Sequence, residues 1–67
     1  MDYAEKLKTL RRLAGLTQQQ LGELCGYEGR GAEVAVQHWE HGRQLPPITK
    51  LRALAHALHV TLDEVVP

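Results

Sequence analysis

Glu33, Val34, Gln37 and His38 fall within six consecutive positions of one helical pattern, and they differ in every respect that matters for recognition. A carboxylate only accepts hydrogen bonds, a carboxamide donates and accepts side by side, an imidazole donates from one ring nitrogen and accepts at the other, and valine offers apolar surface alone. Upstream, Thr17, Gln18 and Gln19 set a hydroxyl and two carboxamides at the start of another short helical pattern. Free backbone amides there make a partial positive end suited to an anionic oxygen. No nucleophile stands beside a base. Cys25 is the single cysteine, and its place on an apolar helical stripe, apart from the histidines, predicts a buried reduced thiol with no internal disulfide. His38 with His41, and His56 with His59, are spaced i, i+3. Two imidazoles without a thiolate or carboxylate set make a poor metal site. The expectation is therefore no enzyme, no metal, no cofactor and no small-molecule substrate.

The scaffold for these groups is small. Sixty-seven residues make one domain, 1–67, that buries roughly 60% of the surface of its unfolded chain, with no room for a deep substrate cleft and a supporting shell. The 43% hydrophobic and 24% charged composition, with no Phe and few β-branched residues, favours a globular all-helical fold over a sheet or a disordered tail. No apolar stretch approaches the ~18 residues of a membrane span, and the acidic, helical start lacks the basic run of a leader. A soluble cytoplasmic protein without a membrane partner is expected. The formal net charge is zero, so charge by itself does not point to phosphate.

Taken in order, Asp2 is a plausible N-cap with Glu5 three residues on, and Tyr3, Leu7, Leu10 and Ala14, widened by Leu13, form an apolar stripe ending at Gly15. Lys6, Lys8 and Arg12 on the other face read first as a solvated surface and second as a flank for an anionic partner. Thr17-Gln18-Gln19-Gln20 matches a capping box, with Leu16 and Leu21 as its hydrophobic staple. Leu21, Leu24 and Cys25 are its expected buried stripe. Gly22 costs about 1 kcal/mol of helix propensity, which makes sense only where another backbone comes close. Gly26 suits a left-handed cap. Tyr27 to Gly31 reads as a loop, and a helix resumes from about Ala32, burying Val36 and Trp39 with Ala32 and Ala35 beside them, until Gly42 and Pro46-Pro47 end it. Ile48, Leu51, Leu54, Ala55 and Leu58 make a further stripe, and Thr61 to Glu64 a second capping box. Five helices account for the chain. Those of about 17–41 form a helix-turn-helix that by itself is too short to stand alone.

The run LKTLRRLAGLTQQQLGELCG, then VQHWEHGRQLP, then LRALAHALHVTLDEVV resembles the Cro/repressor class of helix-turn-helix regulators, the XRE family, along nearly the whole chain. Leu7, Leu10 and Arg11 before Gly15-Leu16-Thr17-Gln18, Trp39-Glu40-x-Gly42-Arg43 after the second motif helix, and Leu54-Ala55-x-Ala57-Leu58-x-Val60 carry the likeness in combination. The resemblance implies a compact five-helix lambda-repressor-like DNA-binding domain that binds double-stranded DNA as a homodimer on a roughly palindromic operator. One departure stands out. Between Gly26 and Val36 the chain is about four residues longer than the family pattern, which means either a longer loop or an extra turn at the start of the second motif helix; two glycines, poor in a helix interior, favour the extended turn between helices two and three.

Counting back from Trp39-Glu40, the resemblance places Glu33, Val34 and His38 at base-reading positions, with Gln37 at the edge of that face. Glu accepts from cytosine N4, Val packs on a thymine methyl, Gln pairs with adenine and His donates to guanine. Thr17, Gln18 and Gln19 are expected on a phosphate, with His41 and Arg43 on the backbone beyond the second helix. Arg30, in the extra loop, is within reach of a phosphate or a base edge. Trp39 is expected in the core, and Glu40 to pair with Arg11 as the family pattern suggests, locking the reading helix to helix one. Leu62, Val65, Val66 and the helix end around His59 serve either as a dimer seam or as a plug closing the core. Two functions compete: a transcriptional regulator, of the short phage or bacterial Cro-like repressor kind since nothing follows the domain, and an antitoxin-like protein-interaction module whose DNA contact is secondary. Net neutrality and Glu33 favour the second, and the Thr-Gln cap with Arg43 the first.

Overall fold

The computed structural model describes residues 2–67. Helices α1 (Tyr3–Leu13), α2 (Gln18–Leu24), α3 (Arg30–Glu40), α4 (Leu51–Leu58) and α5 (Leu62–Val65) follow one another, with a short 3-10 turn at Ile48–Lys50 leading into α4. No strand occurs among the described residues. This is the expected all-α, five-helix architecture.

Local signals start the first two helices as the sequence predicts. The Asp2 carboxylate accepts from the Glu5 amide at 2.8 Å. At α2 the Thr17 hydroxyl accepts from the Gln20 amide at 3.0 Å while the Gln20 side chain accepts from the Thr17 amide at 2.9 Å, so both halves of the box are made. The matching pattern at Thr61 behaves differently. Its hydroxyl makes no cap bond, because the Glu64 amide donates to the Thr61 carbonyl at 3.1 Å, and the expected second capping box does not form.

Leu7, Leu21, Val36, Trp39, Leu54, Leu58 and Val65 fill the centre of the core, with Cys25 among them. Three apolar residues expected there lie outside: Leu13, Leu24 and Ile48 are 79%, 56% and 85% exposed. Leu24 sits one position off the line of Leu21 and Cys25, which takes it to the rim between α2 and α4. Val65, by contrast, is fully buried and belongs to the core, leaving only Leu62 and Val66 as exposed apolar residues at this end. The Tyr3 hydroxyl donates to the Val65 carbonyl, which ties the first helix to the last.

Candidate nucleic-acid interface

The helix pair is set by a backbone contact. A Cβ built on Gly22 would stand 2.1 Å from the Ala32 carbonyl oxygen, so α2 and α3 cross at a distance that only glycine permits. The expected reason for Gly22 holds. The start of α3 does not: the helix begins at Arg30, not near Ala32, and the extended turn shrinks to Gly26–Gly29. Gly29 caps it with φ 58° and ψ −146°, a region essentially reserved for glycine. The Gln19 carboxamide donates to the Gly29 carbonyl at 2.9 Å and to Glu23 at 3.0 Å, which pins the cap to α2. Gly31 falls in the first turn, where a backbone amide has no intrahelical partner to lose.

Below the turn, Tyr27 meets the Trp39 ring edge-on at 5.9 Å between centroids, and the Lys50 ammonium lies 5.1 Å over the Tyr27 ring. Burial pushes the Tyr27 hydroxyl up, and nearby Cys25 adds to the shift. Sequence gives no signal for the aromatic pair or Lys50, since Tyr27 reads as loop by composition and its contacts come from two other segments.

Trp39 is in the core as expected, and Ala32, Val36 and Glu40 are buried beside it on the inner side of α3. On the opposite side Arg30, Val34, Gln37 and His41 follow one another at i, i+4, i+7 and i+11, one line along a helix. Glu33 and His38 flank that line. The fold thus brings the four expected base-reading residues onto one face, with Arg30, Glu33 and His41 exposed and Val34, Gln37 and His38 half-buried.

The face is tied to the core through polar groups. Arg11 donates from Nε and Nη2 to the two Glu40 oxygens at 2.6 and 3.1 Å, and from Nη1 to the Leu16 carbonyl at 2.9 Å. The expected Arg11–Glu40 pair is formed. Gln18 donates to Glu40 Oε1 at 3.2 Å and accepts from the Gln37 carboxamide at 3.5 Å, so the chain of bonds runs from α1 through α3 and α2 to the outer face. These bonds leave one Gln18 N–H uncommitted, and the exposed Thr17 hydroxyl, a cap acceptor, has its own proton unspent. The Gln18 and Gln19 amides open the first turn of α2 and have no carbonyl within it to donate to. Arg43 is exposed, and its amide donates to the His38 carbonyl at 3.0 Å, fixing it to the end of α3 after the left-handed Gly42.

Two helices locked at a glycine contact, with a populated outer face on the second, define a helix-turn-helix domain. The chain belongs to the helix-turn-helix domain family, matching it over residues 2–66. It is 36% identical over 66 residues to the HTH-type transcriptional activator BcrR of Enterococcus faecalis, an overlap of 98% of this chain and 30% of that protein. The chain thus spans less than a third of the length of that relative. No solved structure matches it. No helix among the described residues is long and apolar enough to cross a membrane.

Proposed function

We propose that the chain is a sequence-specific DNA-binding transcriptional regulator of the Cro/repressor (XRE) type, which lays the outer face of α3 in the major groove. The observation that carries this reading is the division of α3: one side is buried against the domain, and the other holds Glu33, Val34, Gln37 and His38 together. These four read base edges. Thr17, Gln18 and Gln19 hold a phosphate at the start of α2, and His41 and Arg43 hold the backbone past the end of α3. Such contacts orient the domain without requiring a basic chain. Its chemistry is binding, with no reaction, metal or cofactor.

A single small domain makes few phosphate contacts, so tight binding at physiological salt calls for two copies on a palindromic operator. Exposed Leu62 and Val66 supply the seam. Occupying an operator excludes other proteins from it, which is repression in the cytoplasm where the DNA lies; the similar protein from Enterococcus faecalis is named an activator, and a reporter carrying the operator at a promoter separates the two signs.

The test is a random-sequence duplex selection with purified protein, followed by titration of the selected site with wild type and His38→Ala. A two-fold-related motif with half-sites about one helical turn apart, weakened by the substitution, supports the reading. Weak binding with no enriched motif sinks it and turns attention to the second reading, an antitoxin-like protein-interaction module. Zero net charge and the carboxylate of Glu33 on the outer face favour that alternative.

A further inference from the structure

We infer that Arg30 reads a guanine from the leading end of α3, acting as a specificity-determining residue and not as a backbone anchor; the inference rests on the DNA-reading function proposed above. The extra residues between α2 and α3 do not simply lengthen the turn. They start the reading helix at Arg30, which puts this guanidinium on the same line as Val34, Gln37 and His41 and extends the outer face toward its N-terminal end. Side chains in a helix lean toward its N-terminus. At the first helical position that direction leads past the end of the helix, toward whatever α3 enters.

The surroundings of Arg30 are bare. Nothing lies within 4 Å of a Cβ built at Gly29 or at Gly31, so the backbone on both sides of the arginine is open to the approach of a groove wall. Arg30 is exposed and, among the described residues, makes no side-chain hydrogen bond, while the ion pairs formed are Lys6–Glu64 and Arg11–Glu40. Glu33, three positions on, does not hold it.

Arg30 and Gly31 run against local helix preference, although Gly29 is an accepted cap and Glu33 suits the first turn. A cation at the positive end of the helix dipole is unfavourable, glycine in a first turn forfeits propensity, and the cap has no side-chain bond. No contact inside the domain compensates for Arg30 itself. A local preference broken without a folding return is what functional positions show. Among base edges, the forked guanidinium matches the O6 and N7 acceptors of guanine with two parallel bonds.

The experiment compares wild type and Arg30→Ala in parallel random-sequence duplex selections. Each is then titrated, at several salt concentrations, against the preferred duplex and against versions with each G·C pair of the half-site replaced. The expected result is one guanine position per half-site at which wild type discriminates by about 5- to 150-fold and Arg30→Ala does not. Preferences elsewhere in the site stay unchanged. A variant that weakens on all duplexes alike, with the log–log salt slope reduced by about one per copy, identifies a phosphate contact and overturns the inference. Unchanged affinity and unchanged preferences overturn it as well. Both of those outcomes leave the DNA-reading function intact, whereas failure of wild type to enrich any motif removes that function and the role of Arg30 with it. Because Arg30 is exposed and alanine is the better helix former, the variant is expected to fold, which a thermal melt checks.

Discussion

The Arg11 guanidinium holds both oxygens of Glu40 from two of its nitrogens, at 2.6 and 3.1 Å, across 29 positions of sequence. Both residues are buried, at 9% and 7% exposure, so the pair joins the last turn of α1 to the last turn of α3 in a region of low dielectric. Removing one partner strands the other, at a cost of about 3–5 kcal/mol. A domain of this size has roughly 3–10 kcal/mol in total. Glu40→Ala is therefore expected to unfold at much lower urea concentration than wild type, and Arg11→Met with Glu40→Leu to recover most of the loss. A single substitution that moves stability by less than about 1 kcal/mol, the scale of an exposed pair, contradicts the assignment.

Two glycines in helices should respond to alanine with opposite signs. By propensity alone each substitution gains up to about 1 kcal/mol. At Gly31, with nothing within 4 Å of the added carbon, that gain is expected in full or in part. At Gly22 the added carbon meets the Ala32 carbonyl oxygen at 2.1 Å, and because the obstacle is backbone, α3 must move. A loss of about 1–3 kcal/mol or more is expected for Gly22→Ala. Urea titrations of the two variants, read by Trp39 fluorescence, decide whether the contact is as tight as described.

Burial pushes the Cys25 thiol up to about 11, although the Lys50 ammonium pulls in the other direction. The folded chain thus holds its thiol proton over a range in which the unfolded chain has released it. The stability that comes with the neutral thiol is present in full below about pH 9 and is lost as pH rises through about 11, at up to about 1.4 kcal/mol per pH unit. Cys25→Ala is expected to flatten the decline of urea midpoints between pH 9 and 10. Tyr3, which burial also raises, leaves a residual slope at higher pH. The same thiol should react with iodoacetamide at pH 8 far more slowly in the native protein than in urea; equal rates would show Cys25 to be accessible.

His59 closes α4 with φ 58° and ψ 41°, the left-handed region that costs a residue with a Cβ about 1–2 kcal/mol. It is exposed, so nothing else is removed with its side chain. His59→Gly is expected to raise stability by roughly 0.5–1 kcal/mol after the entropy of the unfolded glycine is counted. A fall in melting temperature would mean that the imidazole makes a contact of greater worth.

The features legible in the sequence are those whose causes are local or chemically unmistakable. Thr17 and Gln20 lie three apart and satisfy each other, and Gly22 breaks an otherwise good helix, whereas the pairing of Arg11 with Glu40 was available only through the family resemblance. The start of α3 was not legible, because a glycine cap with no side-chain bond acquires its support from Gln19, ten positions upstream on another helix. Thr61 to Glu64 has the same residue pattern as Thr17 to Gln20 and a different outcome, since α5 is a single four-residue turn whose carbonyl takes the amide that the hydroxyl would have bound. Leu24 and Cys25 show the limit of periodicity: adjacent apolar residues on a short helix both fit the stripe, and the fold buries Cys25 while leaving Leu24 at the rim. For the interface, helical spacing turned Glu33, Val34, Gln37 and His38 away from the core and the family resemblance marked their positions, but whether Arg30 joined them depended on where the helix began.

The two sides of α3 share almost no residues. Ala32, Val36, Trp39 and Glu40 hold the helix in place, while Arg30, Glu33, Val34 and His38 make none of the side-chain hydrogen bonds seen among the described residues. Such a division makes the outer surface an exchangeable cassette: a lineage can rewrite it substitution by substitution without crossing a stability threshold. Gln37 is the exception, because its bond to Gln18 leads back to Glu40. On the proposed DNA-reading function, evolutionary drift in target preference should therefore run freely at four positions and stall at the fifth, where a new side chain has to be compatible with the bolt behind it.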